Sequence, residues 1–110
     1  EIKLNEVDWK FFGQLDSFQP FGESNRSPYF LSKDAKVVGI QQVGNGGKHL
    51  KLMITDESGN VKKTIGFGFG ELFDIIEIGG KVNVVFEIGV NEWNGNRELQ
   101  LKIIDLKKSD

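Results

Sequence analysis

The side chains best able to grip a ligand in this 110-residue sequence are one indole and a set of lysines. Trp93 stands in the run NEWNGN with Asn94 beside it and Arg97 just beyond, between two stretches that alternate apolar with polar residues. An indole in such a turn can stack on a nucleobase, because every base has a π-face, and stacking contributes about 1–3 kcal/mol per base. The same ring can instead fold back as a plug over one end of the core, its N–H bonded to a loop carbonyl. Within residues 48–63, Lys48, Lys51, Lys62 and Lys63 stand against only Asp56 and Glu57, which makes a mildly positive strip if they share one face. On charge alone a solvated hairpin is the favoured reading.

Other chemistries find little support. The chain has no Cys and one His, so neither a disulfide framework, a thiolate metal site nor a multi-histidine site can form. His49 lacks a second His or a paired carboxylate, and an exposed strand histidine is the expectation. Glu71, Asp74 and Glu77 read as a solvated face rather than a cation site. The run GFGFGE resembles a phosphate-cradling loop but has neither GxGxxG spacing nor a GK[ST] ending. Its alternating glycines suit strong barrel curvature, a bulge or a close approach by another group. No nucleophile or triad emerges. A net charge of −2 argues against a generally basic nucleic-acid binder. That charge sits at the N-terminus: residues 1–34 hold four basic and six acidic side chains, and residues 35–110 hold ten of each.

The elements that must position these residues follow from period and punctuation. With 38% hydrophobic and 27% charged residues, the composition describes one globular domain, and no apolar run approaches the roughly 20 residues of a membrane span. The opening at Glu1 suggests a piece of a longer protein, and the lack of Cys is compatible with a cytoplasmic location. LNEVDWKFFGQLDSF reads as a short amphipathic helix with Asn5 or Asp8 as N-cap and Trp9, Phe12, Leu15 and Phe18 on one side. PFGESNRSPYF is a loop with Phe21, Tyr29 and Phe30 as apolar anchors.

From Ala35 the period becomes two. Strands are expected over Ala35 to Val43, over KHLKLMIT with Leu50, Leu52 and Ile54 inward, and over Val61 to Phe69. In the third strand Ile65, Phe67 and Phe69 form one row, and Lys62, Thr64, Gly66 and Gly68 the other. Gly70 to Ile78 suits a short helix stopped by Gly79 and Gly80. Strands then follow over Lys81 to Val90, with Val82, Val84, Phe86 and Ile88 inward, and over Arg97 to Leu106, with Leu99, Leu101 and Ile103 inward.

Five short strands with a helix between the third and fourth is the order of an OB-fold, a mainly β, five-stranded Greek-key barrel, here preceded by a helical and loop segment. In that fold the exposed face of strands two and three, flanked by the loops joining strands one to two and four to five, binds oligonucleotides or oligosaccharides. The expected groove is floored by Lys48, Lys51, Met53, Lys62 and Thr64. Trp93 stands at its edge, and His49, Asn94 and Arg97 complete the expected contacts.

GGKHLKLMITD, IGFGFGE and VNEWNGNRELQLKIIDL together resemble the C-terminal OB domain of the RecJ family of bacterial single-strand-specific 5′-to-3′ DNA exonucleases. PFGESNRSPYF resembles that family's PFGxGNxxPxF segment, with Ser24 where glycine is usual. The resemblance runs from about Leu15 to Leu106. It implies a parent enzyme for DNA repair or recombination whose Mn²⁺ or Mg²⁺ is held by aspartates and histidines of a DHH domain, motifs missing from this sequence. Residues 1–34 would be the tail of the preceding DHHA1 domain, and residues 35–110 an accessory barrel with no cofactor of its own. Its partners would be single-stranded DNA and the parent's DHH and DHHA1 domains, with no membrane. A clamp that packs the parent's domains together without touching DNA is the alternative.

Overall fold

A computed structural model describes residues 1–18, 28–57 and 59–109, with only the backbone described for residues 14–18. Most of the PFGESNRSPYF loop lies outside the described residues. Five strands close into a barrel: β1 (Phe30–Val43), β2 (His49–Thr55), β3 (Val61–Gly66), β4 (Lys81–Trp93) and β5 (Asn96–Lys108), ordered β1-β2-β3-β5-β4 with β4 pairing back onto β1. All neighbours are antiparallel except β3 and β5, which run parallel over the short ladder Thr64↔Leu101 and Ile65↔Lys102. Leu50, Leu52 and Ile54 of β2, Val82, Val84, Phe86 and Ile88 of β4, and Leu101 and Ile103 of β5 fill the interior, as their alternation requires.

The strand boundaries differ from expectation where local chemistry breaks the alternation. β1 starts at Phe30, not Ala35. Asp34 takes a φ of +56°, and the register against β4 shifts between Ser32 and Ala35. This bulge interrupts the alternation and hides the first turn of the strand from a period-two reading. Phe30 packs edge-on to Phe11 and beside Phe86, whereas Tyr29, expected as an anchor, is exposed.

The N-terminal segment is a 3-10 turn over Leu4–Glu6 followed by α1 (Trp9–Phe18). Asp8 caps α1, its carboxylate accepting the Phe11 N–H at 2.8 Å, while Asn5 instead donates its backbone N–H to Asp56. Ile2, Leu4 and Val7 belong to the barrel core itself. Between β3 and β4 the expected helix over Gly70 to Ile78 is only a 3-10 helix over Gly70–Asp74. Leu72 and Ile76 turn toward the core, but Phe73, Ile75 and Ile78 stay exposed. An apolar pattern at helical spacing here marks two anchors in a short connection, too few to hold two turns of α-helix.

Candidate nucleic-acid interface

The outer face of β2 carries His49, Lys51 and Met53, because Leu50, Leu52 and Ile54 point inward. β3 was expected to present Lys62 and Thr64 beside them, and the structure reverses that strand. Its inward row is Lys62, Thr64 and Gly66, paired with Ile54, Leu52 and Leu50, and its outward row is Val61, Lys63 and Ile65. Thr64 is buried and donates its hydroxyl to the Leu52 carbonyl at 2.8 Å, and Lys62 donates to the Val7 carbonyl at 2.7 Å. Lys62 therefore lies off the groove floor, whereas Thr64 still lines the groove with the 2% of its surface that remains exposed. Phe69 accounts for the Gly66 place: it folds over Gly66, where a Cβ would stand 3.0 Å from its ring, and packs on the core, while Phe67 of the same expected row is exposed.

The GFGFG run is therefore a packing device. Gly66 admits Phe69, and Gly68 turns the chain at φ +80°. A Cβ on Gly70 would stand 1.8 Å from the Gly47 carbonyl oxygen. The Gly70 N–H donates to the Lys48 carbonyl at 2.9 Å, which ties the start of the 3-10 helix to the β1–β2 loop.

β4 and β5 continue beyond the barrel as a two-stranded ribbon whose turn is only Asn94–Gly95, with φ of +46° and +79°. Positive φ at both central residues is the tight hairpin turn that Asn-Gly favours. Trp93 accordingly lies in the alternation of β4, paired with Asn96, and not in the turn as expected. The pairs Trp93–Asn96, Asn91–Glu98 and Gly89–Gln100 occupy one ribbon face, and Glu92–Arg97 and Val90–Leu99 the other. A groove runs from the ribbon onto the barrel, lined by Val43, Lys51, Lys63, Thr64, Ile65, Asn91, Glu98, Leu99 and Gln100, so that one carboxylate, Glu98, stands among its lysines. Trp93, 44% exposed, is the next residue outward in the Asn91 row.

Of the expected contacts, Lys51, Met53 and His49 share this outer face, with Met53 folded over Gly39. Lys48 is exposed in the loop before β2. Asn94 is at the ribbon tip. Arg97 faces away from the groove, 3.3 Å from Glu92 and with its guanidinium 5.1 Å from the centre of the Trp9 ring. Three residues of this face were missed. Lys63 belongs to the positive strip but not to the expected groove, Lys102 joins from β5, and Phe67 is 52% exposed beside His49. The available signal for Phe67 is Gly68 directly after it, a turn residue that ends the strand before Phe67 can continue the inward row. Among the described residues no three of His, Asp and Glu are placed to hold a metal ion, and no helix is long and apolar enough to cross a membrane.

A closed five-stranded barrel, a 3-10 link between the third and fourth strands, and a groove across β2 and β3 under the β4–β5 ribbon define an OB-fold domain. The chain belongs to the RecJ OB domain family, whose model matches residues 1–105. It is 29% identical over 107 residues to the single-stranded-DNA-specific exonuclease RecJ of Bacillus subtilis, covering 97% of this chain and 14% of that one. The crystal structure of Thermus thermophilus RecJ in complex with Mn²⁺ superposes with a TM-score of 0.64 at 24% identity, over 90% of this chain and 14% of that chain. A mitochondrial single-stranded DNA binding protein of S. cerevisiae shares the fold, with a TM-score of 0.56 at 16% identity over 76% of this chain and 94% of that one.

Proposed function

We propose that this domain is the accessory single-stranded DNA-binding barrel of a RecJ-like exonuclease. The observation that carries the proposal is the groove: Lys51 and Lys63 lie diagonally across the β2–β3 ladder, neither with an ion-pair partner among the described residues, beneath a ribbon face that ends in a half-exposed indole. Lysines that track phosphates, together with aromatics that offer stacking surfaces, are what sequence-tolerant single-strand binding requires. The nuclease chemistry and its Mn²⁺ or Mg²⁺ belong to the remainder of the parent, of which a chain of this length is about one seventh by the Bacillus relative. On this reading residues 1–34 lead in from the parent's DHHA1 domain, and the protein works in the cytoplasm, where its DNA is.

The test is titration of the 110-residue chain with fluorescent oligo-dT at several salt concentrations. Each lysine on a phosphate contributes about −0.7 to the log–log slope for single strands. Lys51→Ala should flatten the slope by that amount, and Trp93→Ala should weaken binding by roughly 1–3 kcal/mol without flattening it. A melting temperature lowered by Trp93→Ala with binding unchanged would make Trp93 a plug. Unchanged binding in both variants would favour the clamp reading, for which exposed Phe73, Ile75 and Ile78 on the link between β3 and β4 offer an apolar surface.

A further inference from the structure

We infer that Phe67 is a stacking site for one unpaired nucleobase, at the place where β3 leaves the barrel; the inference rests on the single-strand-binding reading and adds a contact to it. Gly66 to Phe69 form a tight turn, the Phe69 N–H donating to the Gly66 carbonyl at 3.3 Å, with Gly68 at φ +80° in its third position. Phe67 occupies the second position of that turn. The Gly68 N–H donates to His49 Nδ1 at 3.0 Å, which fixes the imidazole to the turn. That imidazole meets the Phe67 ring edge-on, 5.3 Å between centres and 76° between planes. The Lys102 ammonium lies over the ring, 5.9 Å from its centre.

The ring is thus held by a histidine and a lysine yet remains 52% exposed. Single exposed apolar side chains are ordinary, but this one is oriented by two partners at the head of a basic rung. Ile65, two residues before it, pairs with Lys51 on one side and Lys102 on the other. A base on Phe67 would therefore bring its flanking phosphates to a Lys–Ile–Lys rung on the same face of the sheet. Lys102 also pairs with Glu87 at 3.5 Å, so a phosphate there would compete with a carboxylate, while Lys51 has no such competitor among the described residues. Stacking explains the bare ring, and the lysines select a polyanion over an apolar partner.

The experiment compares oligo-dT with an abasic oligonucleotide of equal length on the wild-type chain, Phe67→Leu, Phe67→Trp and Lys63→Ala. Phe67→Leu should bind oligo-dT roughly 5- to 100-fold more weakly, with little change for the abasic strand and an unchanged salt slope. Phe67→Trp should restore or strengthen oligo-dT binding. Wild-type affinity in Phe67→Leu, with Lys63→Ala weakened, would overturn the stacking site and leave the groove reading standing. No effect in either variant would overturn both. If Phe67→Leu melts early, Phe67→Trp decides: a folded variant that no longer prefers oligo-dT to the abasic strand overturns the inference.

Discussion

The guanidinium of Arg97 lies 5.1 Å from the centre of the Trp9 ring, and through it the β4–β5 ribbon is fastened to α1. Glu92, directly across the ladder from Arg97, holds the same guanidinium from the side, and Phe12 meets Trp9 edge-on at 6.0 Å. Both Arg97 contacts are half exposed, so each is expected to contribute less than about 1 kcal/mol. A double-mutant cycle with Trp9→Ala and Arg97→Ala should give a coupling of about 0.5–1 kcal/mol in thermal or urea unfolding. Because Arg97 faces away from the groove, Arg97→Ala should keep the wild-type salt slope with oligo-dT. A slope flattened by about 0.7 would place Arg97 on a phosphate after all.

Lys62 and Lys63 are neighbours in sequence with opposite expected phenotypes. Lys63 is exposed on the groove face, while Lys62 runs along the other face and donates to the Val7 carbonyl, joining β3 to the N-terminal segment. Lys63→Ala should flatten the salt slope by about 0.7 with little loss of stability. Lys62→Met keeps the aliphatic stem and loses the ammonium, so it should lower stability by about 1 kcal/mol or more and leave the slope unchanged. Exchanged outcomes would mean that β3 presents its other face.

These neighbours also show how far the fold and the site can be read from sequence. Strands β2 and β4 were legible because large aliphatics occupy every second position and nothing else competes for the interior. β3 was not, because its inward row is a lysine, a threonine and a glycine, residues that pattern reading sends to solvent. Only the tertiary partners explain that row: Val7 for Lys62, Leu52 for Thr64 and Phe69 for Gly66. The groove's location follows from the order of elements, and Lys51 lines it. The contents of its floor depend on the register of one strand, and a one-residue difference in face exchanges every side chain it presents.

Thr64 is expected to matter for stability alone. Its hydroxyl is buried, opposite Leu52, and donates to that residue's carbonyl. Thr64→Val preserves shape and removes the donor, so it should cost about 1 kcal/mol, a fall of about 4–8 °C in melting temperature for a domain near this size. Oligo-dT affinity of the folded variant should equal wild type, because the hydroxyl is already committed to the Leu52 carbonyl, and a weakened affinity at unchanged stability would show that it contacts DNA.

Gly70 and Gly13 should respond in opposite directions to the same substitution. A methyl group on Gly70 would stand 1.8 Å from the Gly47 carbonyl oxygen, and that oxygen is not free to move. Gly47 sits at φ +69° with its N–H bonded to the Gly44 carbonyl, and the Gln42 side-chain amide bridges to the Gly70 carbonyl at 3.1 Å. Relief would require the β1–β2 loop and the 3-10 helix to separate, so Gly70→Ala should destabilise by about 2–3 kcal/mol. The displaced loop carries Lys48 and leads directly into His49, so oligo-dT binding should weaken as well. Gly13 lies in α1 with nothing within 4 Å of an added Cβ. Gly13→Ala should therefore stabilise the chain by about 0.5–1 kcal/mol through the restricted unfolded backbone, without touching binding. Urea unfolding of both variants checks the pair, and a neutral Gly70→Ala would show that the loop and the 3-10 helix are not in the contact described.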